Sequence, residues 1–169
     1  MNTALLVARL FFGLGIAAHG AQKLFGWFGG PGLSGTAGFF QMLGFRPGRL
    51  SAPAAALGET AGGTLVALGL LGPVGPALML VVMSVATIVV HVKNGFFVSK
   101  NGVEVPMLYW MGGLVLAFTG PGAYSVDRMF GLLWLSNDRS AWIAVGVAVL
   151  VAAVVIAIHR APGQSPAAP

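Results

Sequence analysis

Apolar residues fall in runs long enough to cross a bilayer, and the polar residues collect between them. The runs are Thr3–Ala21, Ser51–Leu71, Val74–Val92, about Val105–Thr119, and Ala141–Ile158. A helix rises about 1.5 Å per residue and needs roughly 20 residues to cross about 30 Å of hydrocarbon. Four runs reach that length; Val105–Thr119 is shorter and fits a span of little tilt or a locally thinned bilayer. None has the polar outer face that a helix of a soluble bundle needs. The pattern predicts an all-α, polytopic membrane protein. Its four-helix transmembrane core is two helical hairpins, with a fifth, C-terminal transmembrane helix added.

The segments between the runs subdivide the chain. Residues 1–125 form the core, with a long interfacial loop at 22–50. Residues 126–139 are an interfacial segment, 140–160 the additional span, and 161–169 a disordered tail. The first loop is too long for a bare connector. Phe25, Trp27 and Phe28 suit the aromatic belt at a membrane surface, and Gly29-Gly30-Pro31-Gly32 breaks the chain. Thr36 is placed to cap a short helix carrying Phe39, Phe40 and Leu43, with Gly44 as its stop. Ser51 and Pro53 open the second span, and Asn94-Gly95 ends the third. Phe97–Val105, turning at Asn101-Gly102, reads as a small hairpin. Met129–Leu135, flanked by Asp127, Arg128, Asp138 and Arg139, reads as an interfacial helix.

The two halves of the core resemble each other. His19 ends the first span and is followed by Lys23, Gly26 and the aromatics Trp27 and Phe28. His91 ends the third and is followed by Lys93, Gly95, Phe96 and Phe97. Gly62-Gly63 in the second span matches Gly112-Gly113 in the fourth, and each is followed by Gly-Pro at the span end. This is a degenerate parallel repeat, with an axis along the membrane normal.

Composition agrees with the pattern: 57% of residues are hydrophobic and 8% charged, with net charge +5. Mean hydropathy is +0.88. No soluble domain of this size has that profile. The basic residues are dispersed, so the charge reads as topology, not nucleic-acid binding. Lys23, Arg46, Arg49, Lys93, Lys100 and Arg160 fall on one side of a five-span arrangement, and only Arg128 and Arg139 on the other. The positive-inside rule then places loops 22–50 and 93–104 in the cytoplasm of a bacterial plasma-membrane protein. The chain has no cysteine. Thiol–disulfide chemistry, a Cys-held iron–sulfur cluster and persulfide transfer are thereby excluded.

Polar residues inside the spans carry the candidate chemistry. Arg9 and Glu59 lie about 18 Å and 12 Å from the same end of their spans at 1.5 Å per residue, within reach of each other. Each unpaired charge there costs roughly 3 kcal/mol, which predicts an ion pair. That pair either fixes two helices or leaves Glu59 free to meet a ligand or take a proton; Gly58 and Gly62 would let a flat ring approach. His19 and His91, with Gln22, Lys23 and Lys93 near them, suggest a polar mouth opening toward Glu59. Taken singly, each His is an ordinary interfacial residue, and His159 beside Arg160 reads as a headgroup contact. Glu104 before Pro106 suits a helix N-terminus. No carboxylate cluster accompanies the His residues, so no metal is expected. Two His so near the surface are weak grounds for a haem. Ligand-binding or proton-relay candidates are therefore Arg9, His19, Gln22, Lys23, Glu59 and His91.

Arg9, then His19-Gly20-x-Gln22-Lys23-Leu24-Phe25-Gly26-Trp27-Phe28-Gly29-Gly30, then Glu59 with Gly62-Gly63, then His91 with Gly95-Phe96-Phe97, and Gly120-Pro121-Gly122-x-x-Ser125-x-Asp127, resemble the DoxX family of bacterial membrane proteins over about residues 4–130. The resemblance implies a four-helix core, which makes the fifth span an addition. It implies a link to quinone, thiosulfate or oxidative-stress redox systems, in some members as a subunit of a membrane oxidoreductase. No covalently bound cofactor is implied, and a quinone is the expected ligand. The lack of cysteine argues against direct sulfur transfer.

Two functions follow. In the first, a quinone-like molecule binds among the core helices: His19 and His91 hold a ring carbonyl, and Glu59 relays a proton beside Arg9. A soluble or membrane oxidoreductase then supplies the electrons. In the second, the chain is a non-catalytic adaptor or assembly factor whose small-residue faces dock other helices, or a second copy in an oligomer. Whether the chain is itself an enzyme is not decided by its residues.

Overall fold

A computed structural model describes residues 2–159. Arg160 and the predicted tail at 161–169 lie outside the described residues. Among the described residues seven α-helices follow in order: α1 (Asn2–Phe25), α2 (Gly32–Met42), α3 (Gly48–Leu68), α4 (Val74–Ala86), α5 (Glu104–Thr119), α6 (Val126–Met129) and α7 (Asp138–His159). A π-helical turn over Thr87–His91 and a 3-10 turn over Val92–Asn94 prolong α4. Among the described residues there is no strand.

Among the described residues, three helical stretches are long and apolar enough to cross a membrane: Asn2–Phe25, Val74–Asn94 and Asp138–His159. The helix at Glu104–Thr119 is shorter, with 16 residues. The 21-residue α3 has the length but is diluted by Glu59, two threonines and four glycines. Its position explains that composition. It packs against α1, α2 and α4, and its buried side is made of small residues.

The α1–α3 contact depends on glycine. A Cβ at Gly13 would lie 2.5 Å from the Ala67 amide nitrogen, and one at Gly63 would lie 2.5 Å from that of Ala17. The two backbones touch, as small residues at a helix crossing permit. Ile16, Val66, Met79, Met83 and Leu116 form the core between α1, α3, α4 and α5. Trp110 Nε1 donates to Ser84 Oγ at 3.0 Å across α5 and α4. The helix α7 lies on α4 and α5, with Ala141, Ala148 and Ala152 buried.

Several local expectations are corrected. Thr36 does not cap α2: the helix starts four residues earlier, and the buried Thr36 hydroxyl donates to the Gly32 carbonyl at 2.7 Å. The stop at Gly44 is present, with φ of 94°. The helix expected as the second span begins at Gly48, behind Pro47, before the expected Ser51. Phe97–Val105 is not a β-hairpin but a 3-10 turn, Val98–Lys100, closed by Val103 N–H to Gly95 O (3.0 Å) and Glu104 N–H to Phe96 O (2.9 Å). Met129–Leu135 is not one helix, because Gly131 at φ 70° separates α6 from a 3-10 turn at Leu133–Leu135. Glu104 does open α5, and its Oε2 accepts from the Val98 amide at 2.8 Å.

Candidate functional site

A cavity of about 690 Å³ opens between α3 and α7 over the side of α4, with the α2–α3 connection across one end. Its walls are mostly apolar, with valine and alanine the commonest residues. Lys23, Arg46, Ser51, Glu59, His91 and Asn101 supply its polar groups, and His159 also borders it. A concave, mostly apolar space with a few convergent polar groups is the usual form of a small-molecule site.

Glu59 reaches the cavity from the middle of α3 and is 6% exposed. Its partner is Lys23, whose Nζ donates to Oε2 at 2.5 Å. The helix α1 continues past the end of the apolar run at Ala21, which keeps Lys23 on the helix. Helical side chains lean toward their N-terminus, so Lys23 leans back along α1 to the level of Glu59. The second carboxylate oxygen, Oε1, has no hydrogen-bond donor among the described residues.

His91 closes the π-helical turn, and Val89, Val90 and His91 all line the cavity. Such turns often occur at functional sites, because the extra residue redirects side chains. His91 Nδ1 lies 2.8 Å from the Asn101 carbonyl oxygen. A carbonyl can only accept, so Nδ1 carries the proton and Nε2 is the atom left to exchange one with a ligand. Asn94 Nδ2 donates to the same carbonyl at 3.1 Å, fixing the loop on which this depends.

The expected Arg9–Glu59 pair does not form. Arg9 is 3% exposed, and its guanidinium donates to the carbonyls of Ala67 (3.1 Å), Tyr124 (2.8 Å) and Pro121. It lies against Gly69, where any Cβ would meet it. The reason is again the lean of helical side chains: Arg9 extends toward the start of α1, while Glu59 lies ten residues from Gly69 down α3, about 15 Å. Asp127, read from the sequence as interfacial, is fully buried at this same end. Its two oxygens accept from the amides of Leu71 (2.8 Å) and Gly72 (2.7 Å), tying the α3–α4 turn to α6. Its place in the Gly120–Asp127 block was the only sequence signal for it.

His19 and Gln22 are not in the cavity. His19 is exposed, with Nδ1 3.2 Å from Gln22 Oε1 and its ring edge-on to Tyr109 at 6.2 Å. His19 lies beside Tyr109 of α5, whereas His91 borders the cavity together with residues of α3. Of the six candidates, Lys23, Glu59 and His91 come together. Arg46 and Asn101, which sequence reasoning did not single out, join them. Among the described residues no group of three or more His, Asp or Glu could hold a metal ion.

No curated protein and no solved structure matches the chain. A DoxX family model matches residues 4–92, more than half of the chain, from Ala4 in α1 through α4 and its π-helical turn. With its apolar helices and this match, the chain belongs to the DoxX family of membrane proteins.

Proposed function

We propose that this protein binds a quinone-like molecule in the cavity between α3, α4 and α7, as the membrane subunit of a redox system whose electrons come from a partner oxidoreductase. The observation that carries this reading is the convergence of Glu59 and His91 on one apolar cavity of about 690 Å³. Reduction of a quinone takes up two electrons and two protons. Glu59 Oε1 and His91 Nε2 are the two atoms able to pass protons to the ring oxygens. Lys23 keeps the Glu59 carboxylate oriented, and Arg46 offers a cation to a ring carbonyl. Arg9 and His19, outside the cavity, have no part in this chemistry.

The same proposal takes α3 and α5 as spans beside the three longer apolar helices. It gives a multi-pass protein of the bacterial plasma membrane, with the loops carrying Arg46, Arg49, Lys93 and Lys100 in the cytoplasm. The adaptor reading draws less support. The small-residue faces it needs, at Gly13 and Gly63 and at Ala148 and Ala152, are buried within the chain.

The test is a titration of the purified protein with ubiquinone and menaquinone analogues. Saturable binding is expected, weakened about tenfold or more by Glu59→Gln or His91→Ala and unchanged by His19→Ala. Absence of saturable binding to the folded wild type overturns the proposal.

A further inference from the structure

Two loops that match in sequence differ in where they send their lysine. Gly13 and Ala17 of α1 meet Ala67 and Gly63 of α3, and Gly58 and Gly62 of α3 meet Val82 and Leu78 of α4. Both α1 and α4 therefore run antiparallel to α3, and the loops that follow them lie at the same end of the bundle. Each loop has a lysine, then a glycine and aromatic residues. In the first, Lys23 is committed to Glu59. Phe25, Trp27 and Phe28 are left exposed, and the next basic residue is Arg46. In the second, Lys93 and Lys100 are both exposed, and neither has an ion pair among the described residues. Phe96, Phe97 and Val98 between them are each more than half exposed.

The second loop is also ordered by its own bonds. The Phe97 carbonyl accepts from the amides of Lys100 and Gly102, both at 3.0 Å, and a Cβ at Gly102 would strike the Gly95 carbonyl. Glu104, the one acidic residue between Glu59 and Asp127, is engaged by the Val98 amide. The loop thus holds an apolar tip between two unpaired ammonium groups. It follows directly on Val74–Asn94, a helical stretch long and apolar enough to cross a membrane, so it stands at a bilayer surface. Aromatic rings settle at the headgroup level there, and lysines beside them attract negatively charged lipids. We infer that Phe96–Lys100, with Lys93, is a docking site for the phosphate headgroup of anionic phospholipids. The loop at Phe25–Phe28 is its uncharged counterpart, a membrane contact without preference for charge. The inference does not depend on what fills the cavity.

The chain has no cysteine, so single reporters can be placed in the full-length protein. Ser99→Cys and, separately, Trp27→Cys are labelled with a polarity-sensitive fluorophore in one fixed detergent. Each is titrated with phosphatidylglycerol and with phosphatidylcholine. The label at position 99 should respond to phosphatidylglycerol at a concentration about tenfold or more below that needed for phosphatidylcholine. Raising the salt should shrink that preference. Lys93→Gln combined with Lys100→Gln should remove most of it, and the label at position 27 should respond to both lipids alike. A label at position 99 that responds alike to both lipids overturns the inference, as does a preference that survives the loss of both lysines. An equal preference at position 27 also overturns it, by removing the contrast between the loops. Displacement of the lipid by glycerol 3-phosphate would make the ligand a soluble phosphate ester and overturn the lipid assignment. No response at position 99 to either lipid leaves the loop to a protein partner and overturns the inference as well. If the paired variant does not fold, Lys93→Gln and Lys100→Gln taken singly must each lower the preference, or the inference falls.

Discussion

Lys23 and Glu59 show what a buried charge requires of its neighbour. The carboxylate is nearly enclosed, and one ammonium group balances it. Lys23→Met should destabilise the protein by about 3 kcal/mol, because removing one partner leaves the other charge buried and uncompensated. Adding Glu59→Gln to that variant should restore most of the loss. Thermal unfolding of the single and double variants measures both effects, and equal loss in the two would show that the pair is not coupled. At the other end of the bundle, Asp127→Ala strips two acceptors from the Leu71 and Gly72 amides and should cost about 3 kcal/mol. The same variant should leave quinone binding intact, since Asp127 is remote from the cavity. Residue types at both sites were legible in the sequence, but partners were not. Arg9 and Glu59 looked paired by depth alone. Depth ignores the direction in which helical side chains lean, and that direction sends Arg9 to backbone carbonyls and Lys23 to Glu59.

The helices were the most legible level, because hydropathy over about 20 residues reports directly on the cost of leaving water. What hydropathy does not report is which helix is screened from lipid by its neighbours. The central α3 is the least apolar of the long helices for that reason, and glycine lets α1 lie on it. Gly13→Val should force the pair apart and cost roughly 2–3 kcal/mol, the usual penalty of overpacking. Gly146→Ala is the contrasting case: its Cβ meets nothing within 4 Å, and it should be neutral or stabilise by up to about 1 kcal/mol through helix propensity. Thermal shifts that come out alike for the two would contradict the packing argument. Short elements such as Val98–Lys100 and α6 were misread because their geometry is set by single glycines and by bonds to distant chain segments.

At the scale of the molecule, matching His19 to His91 suggested one mouth, whereas His19 lies beside Tyr109 of α5 and His91 borders the cavity that α7 helps to wall. Orientation is directly testable because the chain has no cysteine. In intact cells, Arg139→Cys should react with a membrane-impermeant thiol reagent, and Lys100→Cys only after permeabilisation. The reverse pattern would invert the topology, and labelling of both from outside would remove a span between them.

The bonds of Arg9 also bear on how the protein is made. Its partners Pro121 and Tyr124 follow it by 112 and 115 residues. When the first helix leaves the ribosome, none of those carbonyls has been synthesised, and an arginine within the hydrocarbon costs the nascent segment roughly 3 kcal/mol. Secure insertion of the beginning of the chain is therefore deferred until the stretch after α5 emerges. A nascent polypeptide arrested before Pro121 should hold its first helix in the bilayer less firmly than the finished one.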